Sequence, residues 1–195
     1  MATEQFQTAI KLFDKANSQD PNREQWKGKE YPKEVLYGER MTAMLEGFES
    51  DTSEEVQLAA RCQHICRWEI PRNSYEMNRT GYLKWRTELK KFHAEKAGEI
   101  LDSIGYKKDI VEKVAFLLQK KQLKKNRDTQ IIEDVICLVF LQFYFDPFIE
   151  KHSEEKMIDI VQKTWRKMSE KGHDAALQLS YSNKALSLVK KALGL

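Results

Sequence analysis

Residues 128–144 read DTQIIEDVICLVFLQFY. Wound into a helix, this stretch carries apolar side chains on nearly every side, so it predicts a helix buried all round at the centre of a core. The surrounding segments carry one-sided stripes. Phe6, Ala9, Ile10 and Phe13 give a first amphipathic helix, ending at the turn sequence Asn17-Ser-Gln-Asp-Pro21. A second opens at Tyr31-Pro32 and carries Val35, Leu36, Met41, Met44 and Leu45. The string TSEE at 52–55 reads as a capping box that starts a third helix, running to about Trp68 and closed by Ile70-Pro71. After an irregular stretch, 71–79, a long helix over 80–104 shows Trp85, Leu89, Ala97 and Leu101 on one side, with Gly105 as its cap. A shorter helix covers 107–120, and two more, 153–168 and 174–192, finish the chain. Long alternating β-branched segments are absent, so the expected class is all-α, a single domain of about seven helices around 128–144, with no sheet beyond a stray pair of residues.

Composition narrows the functional classes. The chain has 195 residues, 41% hydrophobic, with only 4 Pro and 8 Gly, a balance that suits a helix-rich globular protein. Lys and Arg total 33 against 30 Asp and Glu, and the net charge of +3 is too small for a general field toward nucleic acid. Cys62, Cys66 and Cys137 are odd in number and contain no CxxC pair, which excludes a zinc-knuckle pattern. The start, MATEQFQTAI, lacks the layout of a secretory signal. No apolar run reaches the roughly 18–20 residues of a membrane span. The expected setting is cytoplasmic, without a membrane partner.

Two histidines fall on predicted core stripes. Val56, Ala60 and His64 repeat at steps of four, as do Leu89, His93 and Ala97, so both imidazoles should face inward. The helix over 128–144 adds Asp134, between Ile131 and Leu138, and Glu133 a third of a turn away. Inward imidazole and carboxylate groups suit a divalent metal or an acid–base site. The plain alternative is that each histidine donates a core hydrogen bond and Asp134 pairs with an arginine; no HExxH or other compact metal motif separates the two readings. A second feature is the concentration of Arg61, Arg67, Arg72, Arg79 and Arg86 with Trp68 and Trp85. Guanidinium forks match phosphate or carboxylate oxygens, and indoles can stack on a base. Here the alternative is a solvated face with salt bridges to Glu69, Glu76 and Glu88. The basic run KKQLKKNR at 120–127 is weaker, since a helix C-terminus favours cations on its own account.

The strings RCQHICRWEIPR (61–72), RTGYLKWR (79–86), KFHAE (91–95), EDVICLVF (133–140) and KTWRKM (163–168) resemble an uncharacterised family of bacterial and fungal proteins, a domain of unknown function, over nearly the whole chain. More distantly, the order is similar to the HD superfamily of metal-dependent phosphohydrolases. That resemblance implies an HD-like core at 51–146, flanked by N-terminal helices at 1–50 and C-terminal helices at 147–195. It makes His64 the first histidine and Asp134 the last aspartate of a metal set. The family's His-Asp dipeptide is altered: either His93-Ala94 stands in its place, or FHAEKAG (92–98) matches a later histidine segment and the dipeptide is missing.

Two functions follow as expectations. In the first, His64, His93 and Asp134 hold a divalent transition metal (Mn, Fe, Ni or Zn) that makes a nucleophile of bound water, with Glu133 or Glu95 as general base or fourth ligand. Arg61, Arg67, Arg72, Arg79 and Arg86 would then bind the phosphoryl oxygens of a phosphorylated small molecule or nucleotide. In the second, the HD-like scaffold has lost catalysis and its basic pocket binds an anionic ligand or an RNA end. A purely structural helical adaptor is the third class.

Overall fold

The computed structural model describes residues 3–195, and the chain divides into two compact units, Met1–Lys121 and Gln122–Leu195. The first begins with α1 (Glu4–Asn17), started by the Thr3 side chain accepting from the Phe6 amide at 3.1 Å. A hairpin that the sequence did not announce follows, β1 (Arg23–Trp26) and β2 (Lys29–Pro32), antiparallel with Trp26 opposite Lys29. Its two-residue turn, Lys27-Gly28, has φ of 49° and 75°, the left-handed pair whose twist matches that of the strands. Lysine is a poor marker for such a turn, which is why the segment reads as loop. Helix α2 (Lys33–Phe48) opens directly from β2 and packs on α3 (Glu54–Arg61). Ser53 is the N-cap of α3, without a side-chain capping bond.

Helix α3 ends seven residues earlier than its pattern suggests. Residues 62–66 turn, Cys66 takes a left-handed φ of 51°, and single 3-10 turns cover Arg67–Glu69 and Arg72–Ser74. The long α4 (Arg79–Ser103) then starts on the Asn78 side chain, which accepts from Gly81 N at 2.8 Å. A β-carbon at Gly81 would lie 2.1 Å from the Glu76 carbonyl oxygen, so this first turn requires glycine. Gly81, Trp85, Leu89, His93, Ala97 and Leu101, spaced by fours, are all buried. Helix α5 (Lys108–Leu118) packs along α4 and α3.

In the second unit α6 (Arg127–Val139) is the stretch read as central, and it buries Thr129, Ile131–Val135 and Cys137–Val139. It runs without a break through one wide, π-helical turn, Phe140–Tyr144, into α7 (Phe145–Ile149), where Phe145 and Ile149 are buried. Then come α8 (Glu154–Trp165), α9 (Glu170–Leu177) and α10 (Asn183–Leu193), each capped by the serine before it: Ser153, Ser169 and Ser182. Helix α10 lies on α8, and α9 on α6. Ten α-helices thus stand among the described residues where about seven were expected, because short capped helices replace two of the long ones. The all-α class holds, with one two-stranded hairpin added. No helix among the described residues is long and apolar enough to cross a membrane.

Candidate functional site

The N-terminal unit gathers polar groups at the start of α2. Asp20, fully buried, accepts from the Glu34 amide at 3.1 Å, and from the Asn22 amide and side chain at 2.8 Å each. Asn17, also buried, donates to the Glu34 carbonyl at 3.4 Å and accepts from Cys66 N at 2.9 Å. The end of α1 therefore clamps both backbone groups of Glu34 and the turn that carries His64. Side chains then converge. His64 stacks on Tyr37, ring centroids 3.9 Å apart and nearly parallel, and its Nδ1 lies 3.3 Å from Glu34 Oε2. Its Nε2 lies 3.2 Å from Arg67 Nη1. Because a guanidinium only donates, this contact makes His64 Nε2 the acceptor and leaves the ring proton on Nδ1, toward Glu34. Arg67 rests on the Trp85 ring, Cζ 4.8 Å from its centroid, and the Trp85 indole donates to the Ile70 carbonyl at 2.8 Å.

His93 completes the group, its ring centroid 5.9 Å from that of His64. Its Nδ1 donates to the Ile65 carbonyl at 2.8 Å, so Nε2 carries the lone pair, and that atom is buried with no partner. Glu34 Oε2 likewise accepts no hydrogen bond; the 3.3 Å approach of His64 is a contact between charges or dipoles and not a formed bond.

Burial and positive neighbours set the protonation states. Burial pushes the Glu34 carboxyl up to about 7, against the pull of Arg67 and Lys33. Burial, then the charges of Arg67, Arg86, Lys120 and Lys33, holds His64 well below the usual imidazole range. His93 is held low by burial and by His64, with Arg67 and Arg86 adding to this and the bond to Ile65 opposing it. The cluster is thus a neutral imidazole pair beside a carboxyl that titrates near neutrality, under the field of two guanidinium groups. Neither Arg67 nor Arg86 forms an ion pair with a carboxylate among the described residues.

Of the other residues expected in the site, Arg61 is spent on Asp14, with bonds of 2.8 and 2.7 Å. Arg72 donates to the carbonyls of Tyr75, Glu76 and Asn78 and ties down the stretch before α4. Arg79 is exposed at the start of α4, and Glu95 is exposed two residues beyond His93, on the opposite face of the helix. Glu133 and Asp134 are buried in the C-terminal unit and engaged there. Asp134 accepts from Ser169 N at 2.8 Å, Ser169 Oγ at 2.6 Å and Gln130 Nε2 at 3.1 Å, and Glu133 lies 3.9 Å from Lys167 Nζ.

A divalent ion does not fit these donors. The His64 lone pair meets a guanidinium, His93 offers one free nitrogen, and both oxygens of Asp134 are taken. Among the described residues no group of three or more His, Cys, Asp or Glu side chains is placed to hold a metal. Sequence reading missed Glu34 and Tyr37, although Glu34, Gly38, Met41 and Leu45 follow helical steps that put Glu34 on the buried stripe of α2.

A family model described as a domain of unknown function (DUF4202) matches residues 7–189. No curated protein and no solved structure matches the chain. Since the match spans nearly the whole sequence, the chain belongs to the DUF4202 family.

Proposed function

We propose that this protein binds a phosphorylated small molecule, of the nucleotide or sugar-phosphate class, between Arg67 and Arg86 beside His64, on a helical scaffold similar to the HD superfamily but without its metal chemistry. One observation carries this reading: two guanidinium charges act on a partly buried cluster whose facing carboxyl, Glu34, ionises only near pH 7. Partly buried positive charge without an ionised partner is unfavourable by several kcal/mol, and an anionic ligand supplies the partner. Trp85, already stacked on Arg67, fixes the guanidinium plane for two-point contact with phosphate oxygens. Titration calorimetry with AMP, ribose 5-phosphate and inorganic phosphate tests it. Arg67→Ala should weaken binding by roughly 1–3 kcal/mol with the fold intact by circular dichroism. Binding unchanged by both Arg67→Ala and Arg86→Ala removes the proposal.

A hydrolase acting on the same ligands is the second reading. It rests on the 3.3 Å approach of Glu34 to His64, a carboxyl–imidazole pair able to exchange a proton near neutral pH. Phosphate release, followed with and without added manganese or zinc, decides between binding alone and turnover.

A further inference from the structure

The basic run at 120–127 contains three non-glycine residues with left-handed backbone, Lys120, Gln122 and Lys124, at φ of 56°, 56° and 72°. Lys120 has a structural reason. It closes α5 as the residue after the C-cap: its amide donates to the Leu117 carbonyl at 2.9 Å and that of Lys121 to Phe116 at 3.2 Å, the pairing that ends helices in a left-handed residue. Nothing of that kind explains Gln122 and Lys124. Each is held in a conformation that is unfavourable for a side-chain-bearing residue. Leu123, between them, is outside the left-handed region, so the backbone alternates left, right, left.

This alternation turns successive N–H groups toward one side and forms the concavity that proteins use to cradle anions. The amides of Gln122, Leu123 and Lys124 have no acceptor among the described residues, whereas those of Lys125 and Asn126 both donate to the Gln122 carbonyl, at 2.8 and 2.9 Å. Lys124 is pinned by its Nζ, which donates to the Met168 carbonyl at 2.8 Å, and Lys125 and Arg127 add positive charge beside the three amides. Helix α6 starts immediately after, on the Asn126 cap. We propose that the backbone amides of Gln122, Leu123 and Lys124 form an oxyanion cradle for a phosphate or diphosphate group of a small molecule, a second anion site separate from the one at Arg67. Strain kept at two adjoining positions, three unanswered donors and local positive charge all point to the same ligand chemistry.

The test is a titration of the full chain with pyrophosphate, followed by amide proton and nitrogen shifts. The expected result is a saturable downfield movement of the Gln122, Leu123 and Lys124 amides with one shared dissociation constant. Gln122→Gly and Lys124→Gly, which keep the amides and accept the left-handed geometry, should retain it. Leu123→Pro removes the middle donor and should weaken binding about tenfold. Should that variant not fold, Lys125→Glu is the substitute, with affinity expected to fall several-fold. Arg67→Ala should leave the response intact, and a loss there would overturn a separate site. Shifts that grow linearly with salt, or that spread equally over all exposed amides, overturn the cradle. So does a response to oligouridylate alone with none to pyrophosphate, which assigns the segment to single-stranded RNA.

Discussion

Asp134 and Glu34 are both buried carboxyls at the heart of their units, and they live in opposite circumstances. Asp134 receives three hydrogen bonds and holds the first turn of α9 against α6. Its carboxylate fits so closely that a β-carbon on Gly172 would stand 2.7 Å from Oδ1. Glu34 is clamped by its backbone, yet its Oε2 has no donor, and the nearby His93 Nε2 is equally unanswered. Buried polar groups that serve only the fold end up paired, since an unpaired one is costly. The difference separates a structural acid from a cluster kept open for something outside the chain. It also explains why Asp134, the residue the HD resemblance singles out, is the poorer candidate for chemistry.

The largest expected effect comes from breaking the satisfied side. Asp134→Ala strands the Ser169 amide and hydroxyl and should destabilise the protein by about 3–5 kcal/mol in urea unfolding. A loss under about 1 kcal/mol would erase the contrast.

Glu34→Gln comes next and carries a pH signature. The folded state raises the Glu34 pKa from its ordinary value of 4.5 to about 7, so the fold favours the protonated acid. Its contribution is fully present below pH 4.5 and lost as pH rises through about 7. Gln, which stays neutral, should therefore leave stability nearly unchanged at pH 4.5 and raise it by about 3 kcal/mol at pH 8. Phosphate affinity of the wild type should fall as pH climbs past 7, because an ionised Glu34 then competes for Arg67. The Gln variant should lack that fall. An identical pH profile in both proteins would show that Glu34 does not face the anion.

His93→Phe should be the mildest. It gives up one bond to the Ile65 carbonyl but also removes a buried atom without a partner, for a net change of about 1 kcal/mol or less near neutrality. Since the fold depresses the His93 pKa, the stability tied to its neutral ring is complete above about 6.5 and lost as pH falls. The Phe variant should accordingly resist acid better. A penalty as large as that of Asp134→Ala would place His93 with the structural groups.

The class of the fold was legible because helical periodicity is local. The stripes of α4 and α6 read from sequence are the ones buried in the structure. The breaks were not, since Cys66 and Lys27 adopt left-handed geometry in residue types that give no sign of it. The α4 stripe placed His93 inward, while His64 reaches the cluster from a turn beyond the end of α3, at a position its supposed helical phase did not describe. The partners were the harder part. Which arginine meets His64 and which is consumed by Asp14 depends on α1, dozens of residues away in sequence, and Glu34 enters through contacts with Asn17 and Asp20. Burial of a single acid on an otherwise apolar stripe was the signal that could have found it.

The wide turn at Phe140–Tyr144 bears on which length changes this chain can absorb. A π-helical turn holds one residue more than the α-helix on either side of it. Deleting any one of Phe140, Leu141, Gln142, Phe143 or Tyr144 would let the turn relax into ordinary helix and rotate everything after it by about 100°. Phe145 and Ile149, now 1% and 5% exposed, would leave the core together. Substitutions there are judged one side chain at a time, but a deletion is judged by the whole of α7, so this segment should tolerate changes of residue far better than a change of count.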